Sequence, residues 1–318
     1  MKKSVLEDQL SALHALRTAP ITEDVLAQLR QALTNHNSHV VAAAAEIAGE
    51  AELADLEPDL VSAFAAFMRN PAKTDPGCRA KTAIANALRA CECPAEAVFL
   101  QGVRHVQMEP VWGGQVDTAA PLRGACALGL VGMRSRHALL ELAHLLADPE
   151  SDARIAAARA LAYSGDPANV PLLYFKVLTG DDHAGVLYEC FLALLKLDIE
   201  TSLSFVAGYL KNADPAIAES AALALGESRQ ESAFDVLRDA WEDTFDAERR
   251  RTLLLALATL RSEPALDYLL DIVRHEARVH ADAALQALRM YQRDETIWRR
   301  VEKALAERNQ TTKVSSVI

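Results

Sequence analysis

One pattern of apolar and polar positions recurs along almost the whole chain. In residues 139–146 the apolar positions fall at i, i+3, i+4 and i+7, at Leu139, Leu142, Ala143 and Leu146. The following segment, residues 155–162, repeats this helical spacing. Each segment therefore predicts an amphipathic helix with one apolar stripe. Neither helix could bury its stripe alone, so the two are expected to pair as a helical hairpin.

The hairpins repeat at a short and regular period. The last aliphatic residues of the second helices are Ile47, Leu88, Leu130, Leu161, Leu194, Leu225, Leu257 and Leu288. Their spacings are 41, 42, 31, 33, 31, 32 and 31 residues, so eight hairpins follow one another and two are enlarged by about ten residues. Self-similarity at this period predicts an all-α solenoid. We expect a capping helix in residues 1–19, repeats in 20–293, a second capping helix in 294–308 and a disordered tail in 309–318.

Acid–proline pairs and glycines mark the ends of the predicted helices. Asp or Glu can cap a helix whose first turn contains the following proline, as at Glu57, Asp75, Asp148, Asp166, Asp214 and Glu263. Four glycines near helix exits are expected to adopt the left-handed conformation that ends a helix, at Gly49, Gly132, Gly165 and Gly226. No segment alternates with period two, so the sequence predicts no sheet.

The alanine-rich second helices, such as TAIANAL at 82–88 and IAAARAL at 155–161, resemble HEAT repeats. The likeness is to the short bacterial kind related to phycobilisome lyases and covers roughly residues 20–305. It implies a right-handed α-solenoid superhelix. It also implies a ladder between an Asp in the turn and a basic residue six positions later, matched here by Asp75 with Lys81, Asp117 with Arg123, and Asp148 with Arg154. Ser220 and Thr252 interrupt this ladder in later repeats.

Residues 105–123, HVQMEPVWGGQVDTAAPLR, differ from everything around them. The extra length of the second and third hairpins falls at 69–79 and 107–121, in equivalent connections that should be neighbours along one ridge. We predict that they form a binding site. Its candidate residues are Arg104, His105, Gln107, Glu109, Trp112, Gly113, Gly114, Asp117, Thr118 and Arg123. The alternative is a structural lid, with the tryptophan covering the repeat core.

The other candidate chemistry is weak. The histidines of HEARVH, His275 and His280, are five residues apart and so do not share the helix face that a zinc protease needs. Deoxyhypusine hydroxylase is a similar HEAT-like enzyme, but it needs several His–Glu pairs, whereas this chain has one. Cys91 and Cys93 are too close for a usual zinc knuckle. Neither a phosphate loop nor a serine-nucleophile motif is present, so we expect no catalytic residue, metal or cofactor.

Composition and charge restrict the partners. The chain has a net charge of −11, which opposes binding to nucleic acid or anionic lipid. The basic residues of the last third, such as 249–251, are mixed with acids and favour a salt-bridged surface over a phosphate-binding one. No apolar run is long enough for a membrane helix, and residues 1–10 do not resemble a signal peptide. We therefore expect a soluble, cytoplasmic protein whose five cysteines are reduced.

These observations favour a non-enzymatic scaffold that binds a partner protein or peptide. The expected contact surfaces are the concave wall of second helices and the segment 105–123. One alternative, implied by the resemblance alone, is an enzyme or enzyme accessory of the phycobilin-lyase type. A less favoured one is a HEAT-like DNA-binding protein, which would need a cationic concave face.

Overall fold

The structure is a computed structural model that describes the backbone of residues 2–315 and the side chains of residues 5–309. Within these residues the chain forms nineteen α-helices, five single-turn 3₁₀ segments and two short strands. The helices are Lys2–Leu16 (α1), Glu23–Leu33 (α2), Ser38–Glu50 (α3), Glu57–Phe67 (α4), Pro71–Thr74 (α5), Arg79–Ala90 (α6), Glu96–Gly102 (α7), Ala120–Gly132 (α8), Ala138–Leu145 (α9), Ser151–Ser164 (α10), Val170–Thr179 (α11), Ala184–Leu197 (α12), Ile199–Gly208 (α13), Pro215–Glu227 (α14), Ala233–Asp243 (α15), Ala247–Leu260 (α16), Glu263–His275 (α17), Arg278–Leu288 (α18) and Glu295–Ser315 (α19). The 3₁₀ segments are Ala54–Leu56, Pro76–Cys78, Pro167–Asn169, Tyr209–Lys211 and Arg289–Tyr291.

The chain divides into two compact units, Met1–Gly165 and Asp166–Ile318. In the first unit α2 packs on α3, α4 on α6, α7 on α8, and α9 on α10. In the second unit α11 packs on α12, α13 on α14, α15 on α16, and α17 on α18, and α19 covers α17. Each unit is thus a stack of four helical hairpins, the arrangement of an α-solenoid that the repeat spacing predicted.

The second helices of the hairpins form the core of each stack. In the first unit α3 contacts α6, α6 contacts α8, and α8 contacts α10; in the second, α12 contacts α14, α14 contacts α16, and α16 contacts α18. Small residues dominate these seams, and Ala44, Ala45, Ala85 and Ala127 are each 0% exposed. Small side chains allow neighbouring helices to approach closely, which explains how a chain with only 5% aromatic residues fills its cores.

Glycines have two different roles in these helices. Gly165 has φ +66° and ends α10 in the left-handed conformation, as expected. Gly49, Gly132 and Gly226 were expected to do the same, but none has a positive φ and they lie within α3, α8 and α14, so the expectation is wrong for these three. A Cβ atom added to Gly226 would lie 2.8 Å from Cα of Ala256 on α16. The glycine is therefore there because two helix backbones meet at that point.

The prediction of no sheet is wrong at one place. Met108–Val111 (β1) and Gly114–Asp117 (β2) form an antiparallel hairpin in the connection between α7 and α8. Trp112 and Gly113 form its two-residue turn, and Gly113 has φ +89°, which favours glycine. Four-residue strands are too short to produce a visible period of two, so the turn residues were the informative part of the sequence.

The chain ends also differ in detail from the prediction. The last helix continues to Ser315, whereas the sequence analysis placed its end near residue 308 and a disordered tail after it. Residues 309–315 contain neither Gly nor Pro, so nothing there terminates a helix. The remainder of the predicted tail, 316–318, lies outside the described residues. In the part of the chain that the structure describes, no helix is both long enough and apolar enough to cross a membrane.

We expect Gly226→Ala to lower the free energy of unfolding by about 1–3 kcal/mol, because the new methyl group overpacks the contact between α14 and α16. Gly208→Ala is the matched control: Gly208 has φ −57° and nothing within 4 Å of an added Cβ atom, so the change should stabilise by about 0.4–1 kcal/mol. Urea-induced unfolding followed by circular dichroism measures both. Equal stability of the two variants would contradict the close contact.

Candidate functional site

The two enlarged connections of the first unit lie against each other. The first contains α5 and the 3₁₀ segment Pro76–Cys78, and the second contains the β-hairpin. The backbone N–H of Gly77 donates to Glu109 Oε1 at 2.7 Å. Gln107 Nε2 donates to the carbonyl oxygen of Asp75 at 2.8 Å. Two side chains of the second connection are therefore hydrogen-bonded to the backbone of the first.

A buried ion pair fixes the first connection to the start of α6. Asp75 and Lys81 are both 0% exposed, and Lys81 Nζ lies 2.9 Å from Asp75 Oδ2. The same carboxylate accepts hydrogen bonds from the backbone N–H groups of Ala80 and Lys81 at 2.9 and 3.0 Å. With three donors on it, the carboxylate offsets much of the cost of leaving water.

A second ion pair fixes both ends of the β-hairpin. Asp117 Oδ1 accepts from the backbone N–H groups of Gln107 and Ala119, each at 2.9 Å. Arg123 Nη1 donates to Asp117 Oδ2 at 2.6 Å and to the carbonyl oxygen of His105 at 2.8 Å. Burial opposes ionisation of Asp117, but these hydrogen bonds and the charge of Arg123 outweigh it and lower the pKa of the carboxyl.

Arg123 also connects this hairpin to the next one. Its side chain is 2% exposed, and its Nη2 donates to Asp148 Oδ1 at 2.9 Å. Asp148 lies between α9 and α10, so one guanidinium binds carboxylates from two successive hairpins. Arg154 Nη1 donates to the carbonyl oxygens of Asp148 and Pro149 at 2.8 and 2.9 Å. The residues of the predicted ladder therefore do contact one another. Arg123 binds the carboxylates of Asp117 and Asp148, whereas Arg154 binds the backbone carbonyl of Asp148.

Glu109 faces inward from the β-hairpin. Its Oε1 accepts from Gly77, from Gln107 Nε2 at 2.6 Å and from Thr118 Oγ1 at 2.9 Å. Burial opposes ionisation, but the bonds from Gln107, Gly77 and Thr118 together keep the pKa of Glu109 below its usual value. Gln107 itself is 2% exposed. Glu109, Gln107 and Thr118 were predicted to bind a ligand, but here they hold the hairpin in place.

Arg104 and His105 lie where the chain leaves α7. Arg104 Nε donates to Glu141 Oε2 at 2.7 Å, and Arg104 Nη2 donates to the other oxygen of the same carboxylate. His105 Nε2 lies 3.2 Å from Gln107 Oε1, and burial lowers the pKa of the imidazole. Arg104 therefore connects the end of α7 to α9, whereas His105 contacts the base of the hairpin.

The tip of the hairpin projects into solvent. Trp112 is 103% exposed, and a Cβ atom added to Gly113 or Gly114 would have nothing within 4 Å. A tryptophan in this position does not cover the repeat core. Apolar side chains of the hairpin and its base are also exposed, at Val106, Met108, Val111 and Val116. These four residues were not among the predicted site residues, although their apolar character near Trp112 was visible in the sequence.

A groove of about 540 Å³ lies beside the base of the hairpin, across the second helices of the first unit. We call it the α3–α6 groove. Its lining includes Glu46 and Glu50 of α3, several residues of α6, and Gly77 and Pro121 from the two enlarged connections. The α6 residues are Arg79, Thr82, Ala83, Asn86, Ala87, Arg89 and Ala90. The sequence did not predict this groove. Its polar lining residues on α6, Arg79, Thr82, Asn86 and Arg89, have the spacing of an ordinary solvent-facing helix surface.

Cysteines and histidines were the other candidates for chemistry, and Cys78 lies within the first enlarged connection itself. In residues 5–309, no three His, Cys, Asp or Glu side chains are grouped so as to hold a metal ion. The five cysteines are free thiols; burial raises the pKa of Cys78 to about 12 and that of Cys93 to about 11. His280 packs edge-on against Trp241, 5.7 Å between ring centroids. Thiols with pKa values this high are protonated and unreactive at neutral pH.

The basic residues of the last third mostly have acidic or backbone partners. Arg300 lies 2.9 Å from Glu263 and 2.7 Å from Asp267, and Arg251 lies 2.6 Å from Glu248. This pattern is a salt-bridged surface.

Comparison with known proteins relates part of the chain to a family of repeats. Residues 174–258 and 209–289 match the family model for HEAT repeats. No curated protein matches the chain. Similar solved structures include human deoxyhypusine hydroxylase in complex with glycerol, with 17% identity, 91% of each chain covered and a TM-score of 0.31. The complex of CpcE and CpcF of phycocyanin lyase from Nostoc sp. PCC7120 has 15% identity over 92% of this chain and 96% of that one, with a TM-score of 0.37. An engineered protein has 15% identity, 94% of each chain covered and a TM-score of 0.40. No activity of this chain follows from these three.

We expect Asp117→Asn to lower the free energy of unfolding by about 2–4 kcal/mol at pH 7, because Arg123 stays buried with one carboxylate in place of two. The folded-state pKa of Asp117 is lowered, so its contribution is complete above the ordinary carboxyl pKa and is lost as pH falls through the lowered value. The difference between wild type and variant should therefore shrink below about pH 4.

Denaturant unfolding at pH 7, 5 and 3 measures this difference. The control is Asp152→Asn, at an exposed carboxylate in the first turn of α10, which should change stability by less than about 0.5 kcal/mol. If the difference in free energy of unfolding between wild type and Asp117→Asn does not change with pH, the ionised carboxylate of Asp117 does not have the stabilising role described here.

Proposed function

We propose that this chain, a HEAT-repeat protein, is a non-enzymatic scaffold that binds a partner protein through the β-hairpin of residues 108–117 and the second-helix wall beside it. The observation that carries this proposal is the full exposure of Trp112 at the tip of an otherwise firmly anchored hairpin. A large aromatic ring in water is costly, and partner binding is the common way in which such a ring becomes buried.

The anchoring of the hairpin supports this function. Asp117, Arg123, Glu109 and Gln107 are all engaged with neighbouring backbone or side chains, so the strands are fixed while the tip is free. A rigid support reduces the conformational entropy lost when a partner binds. Exposed tryptophans on such supports are frequent centres of binding energy.

The α3–α6 groove extends this surface to the helices. Gly77 lines the groove and also donates its N–H group to Glu109 of the hairpin. Pro121, at the start of α8, lines the same groove. A partner that contacts the hairpin is therefore close to the groove and can occupy both.

The same reasoning limits the class of partner. With a net charge of −11, we expect neither nucleic acid nor a membrane surface, and we expect function in the cytoplasm without a cofactor. A phycobilin-lyase activity has no support from the residues of this site.

We expect Trp112→Ala to weaken partner binding by about 5- to 30-fold, because truncation of a central aromatic contact typically costs about 1–2 kcal/mol. The measurement is affinity capture from native extract, followed by titration of the captured protein. Phe175→Ala is the matched control, since Phe175 is an aromatic residue of α11 that is 64% exposed and lies outside the hairpin.

Both variants should keep the melting temperature of the wild type within a few degrees, because neither side chain is buried. A partner that binds the Trp112→Ala variant as well as wild type would refute the role of the hairpin. A partner lost from both variants would point to a different surface.

A further inference from the structure

The α3–α6 groove has a floor of small residues. Ala45, Gly49, Ala83 and Ala87 line it, and a Cβ atom added to Gly49 would lie 3.0 Å from Cα of Ala87. A floor without large side chains lets the backbone of a bound chain come close to the helices. The specificity of the groove must then come from the polar side chains along its edges.

The α6 edge of the groove carries positive charge without a partner. Arg79 is exposed and Arg89 is partly buried, and neither has a hydrogen-bonding or ion-pairing side chain among residues 5–309. The Nε atom of Arg89 is itself buried without an acceptor. A buried guanidinium N–H group without an acceptor is costly, and an anionic group bound to the rest of the guanidinium would stabilise its charge.

The α3 edge carries two acids that share one arginine. Arg17 Nε lies 2.7 Å from Glu50 Oε2, and Arg17 Nη2 lies 3.3 Å from Glu46 Oε2. Arg17, the two glutamates and the two arginines of α6 together carry one net positive charge, within a chain of net charge −11. Arg17 neutralises one of the two glutamates, so the α3 edge keeps one negative charge, and the positive charges without a partner are those of Arg79 and Arg89 on α6.

The spacing of these groups specifies the shape of the ligand. Arg79 and Arg89 are ten residues apart on one helix, which corresponds to about 15 Å along its axis. An extended peptide advances about 3.3 Å per residue, so two acidic side chains about four or five positions apart would span this distance. The exposed amide of Asn86, between the arginines, can both donate to and accept from a peptide backbone.

We infer that the α3–α6 groove binds an extended acidic segment of the partner protein, with one carboxylate at Arg79 and another at Arg89. This inference rests on the proposed function, because it names the part of the partner that occupies the helical wall beside the hairpin.

The test uses fluorescein-labelled peptides of about 12 residues, a length that covers the groove. One peptide has Glu at two positions four apart in a Ser/Ala background, and the other has Lys at the same positions. Fluorescence anisotropy measures binding to the full chain. We expect the Glu peptide to bind, the Lys peptide not to bind, and affinity for the Glu peptide to fall as salt is raised.

Arg79→Gln and Arg89→Gln should each weaken the Glu peptide about three- to tenfold, and the double variant at least tenfold. Arg293→Gln removes the same charge outside the groove, from an exposed residue after α18, and should have no effect. The charge-reversed variant with Arg79→Glu and Arg89→Glu should instead bind the Lys peptide. Because Arg79 is exposed, its single variant reports on binding even if a change at Arg89 affects folding.

Equal binding of the Glu and Lys peptides, unchanged binding by the double Gln variant, or no binding of the Glu peptide at about 1 mM would overturn the inference. Trp112→Ala should retain the Glu peptide, since the two Glu side chains of the peptide bind at α6 and Trp112 does not line the groove. Loss of peptide binding with Trp112-dependent partner capture intact would thus refute this inference alone. If the Glu peptide binds but partner capture is unchanged by Trp112→Ala, only the proposed role of the hairpin is refuted.

Discussion

No hairpin in either unit can bury its apolar stripe without a neighbour, and this constraint governs the rest of the structure. The second helices satisfy it by packing in series through alanine and glycine, as at the contact of α14 with α16. Small side chains let helix backbones come close together. Stability therefore comes from many close contacts between small residues rather than from a few large side chains. A stack built this way is uniform along its length, so the segments that depart from the repeat stand out.

The departures are concentrated in the second and third hairpins of the first unit. There the extra residues do not form a loose loop, because buried charges hold them in place. Lys81 binds Asp75 within one connection, and Arg123 binds both Asp117 and Asp148 across two hairpins. Apolar packing fixes the helices, whereas charged hydrogen bonds fix the inserted segment. The result is a short β-hairpin held in a defined orientation, with its tip and several apolar side chains of its strands exposed to solvent.

Much of this architecture could be predicted from the sequence. The helical period, the number of hairpins and the position of the two insertions follow from residue spacing, because apolar burial repeats with the helix. The role of individual polar residues could not be predicted. Glu109, Gln107 and Asp117 have side chains suited to binding a ligand, but the same groups are equally suited to binding nearby backbone, and sequence does not tell which way they face. The β-hairpin was missed because its strands are shorter than the window in which alternation is visible.

The reverse error occurred on α6. Arg79 and Arg89 belong to a regular amphipathic helix, where polar residues ordinarily face water, so nothing in the sequence separated them from a solvated surface. Only the packing of α3 against α6 shows that they border a groove.

The complete burial of Lys81 has one further consequence. A lysine amine reacts with acylating reagents only when it is unprotonated and accessible, and this amine is sealed inside the protein beside a carboxylate. Its acylation requires the first connection to detach from α6, so the rate at which this lysine is labelled measures local opening beside the base of the β-hairpin.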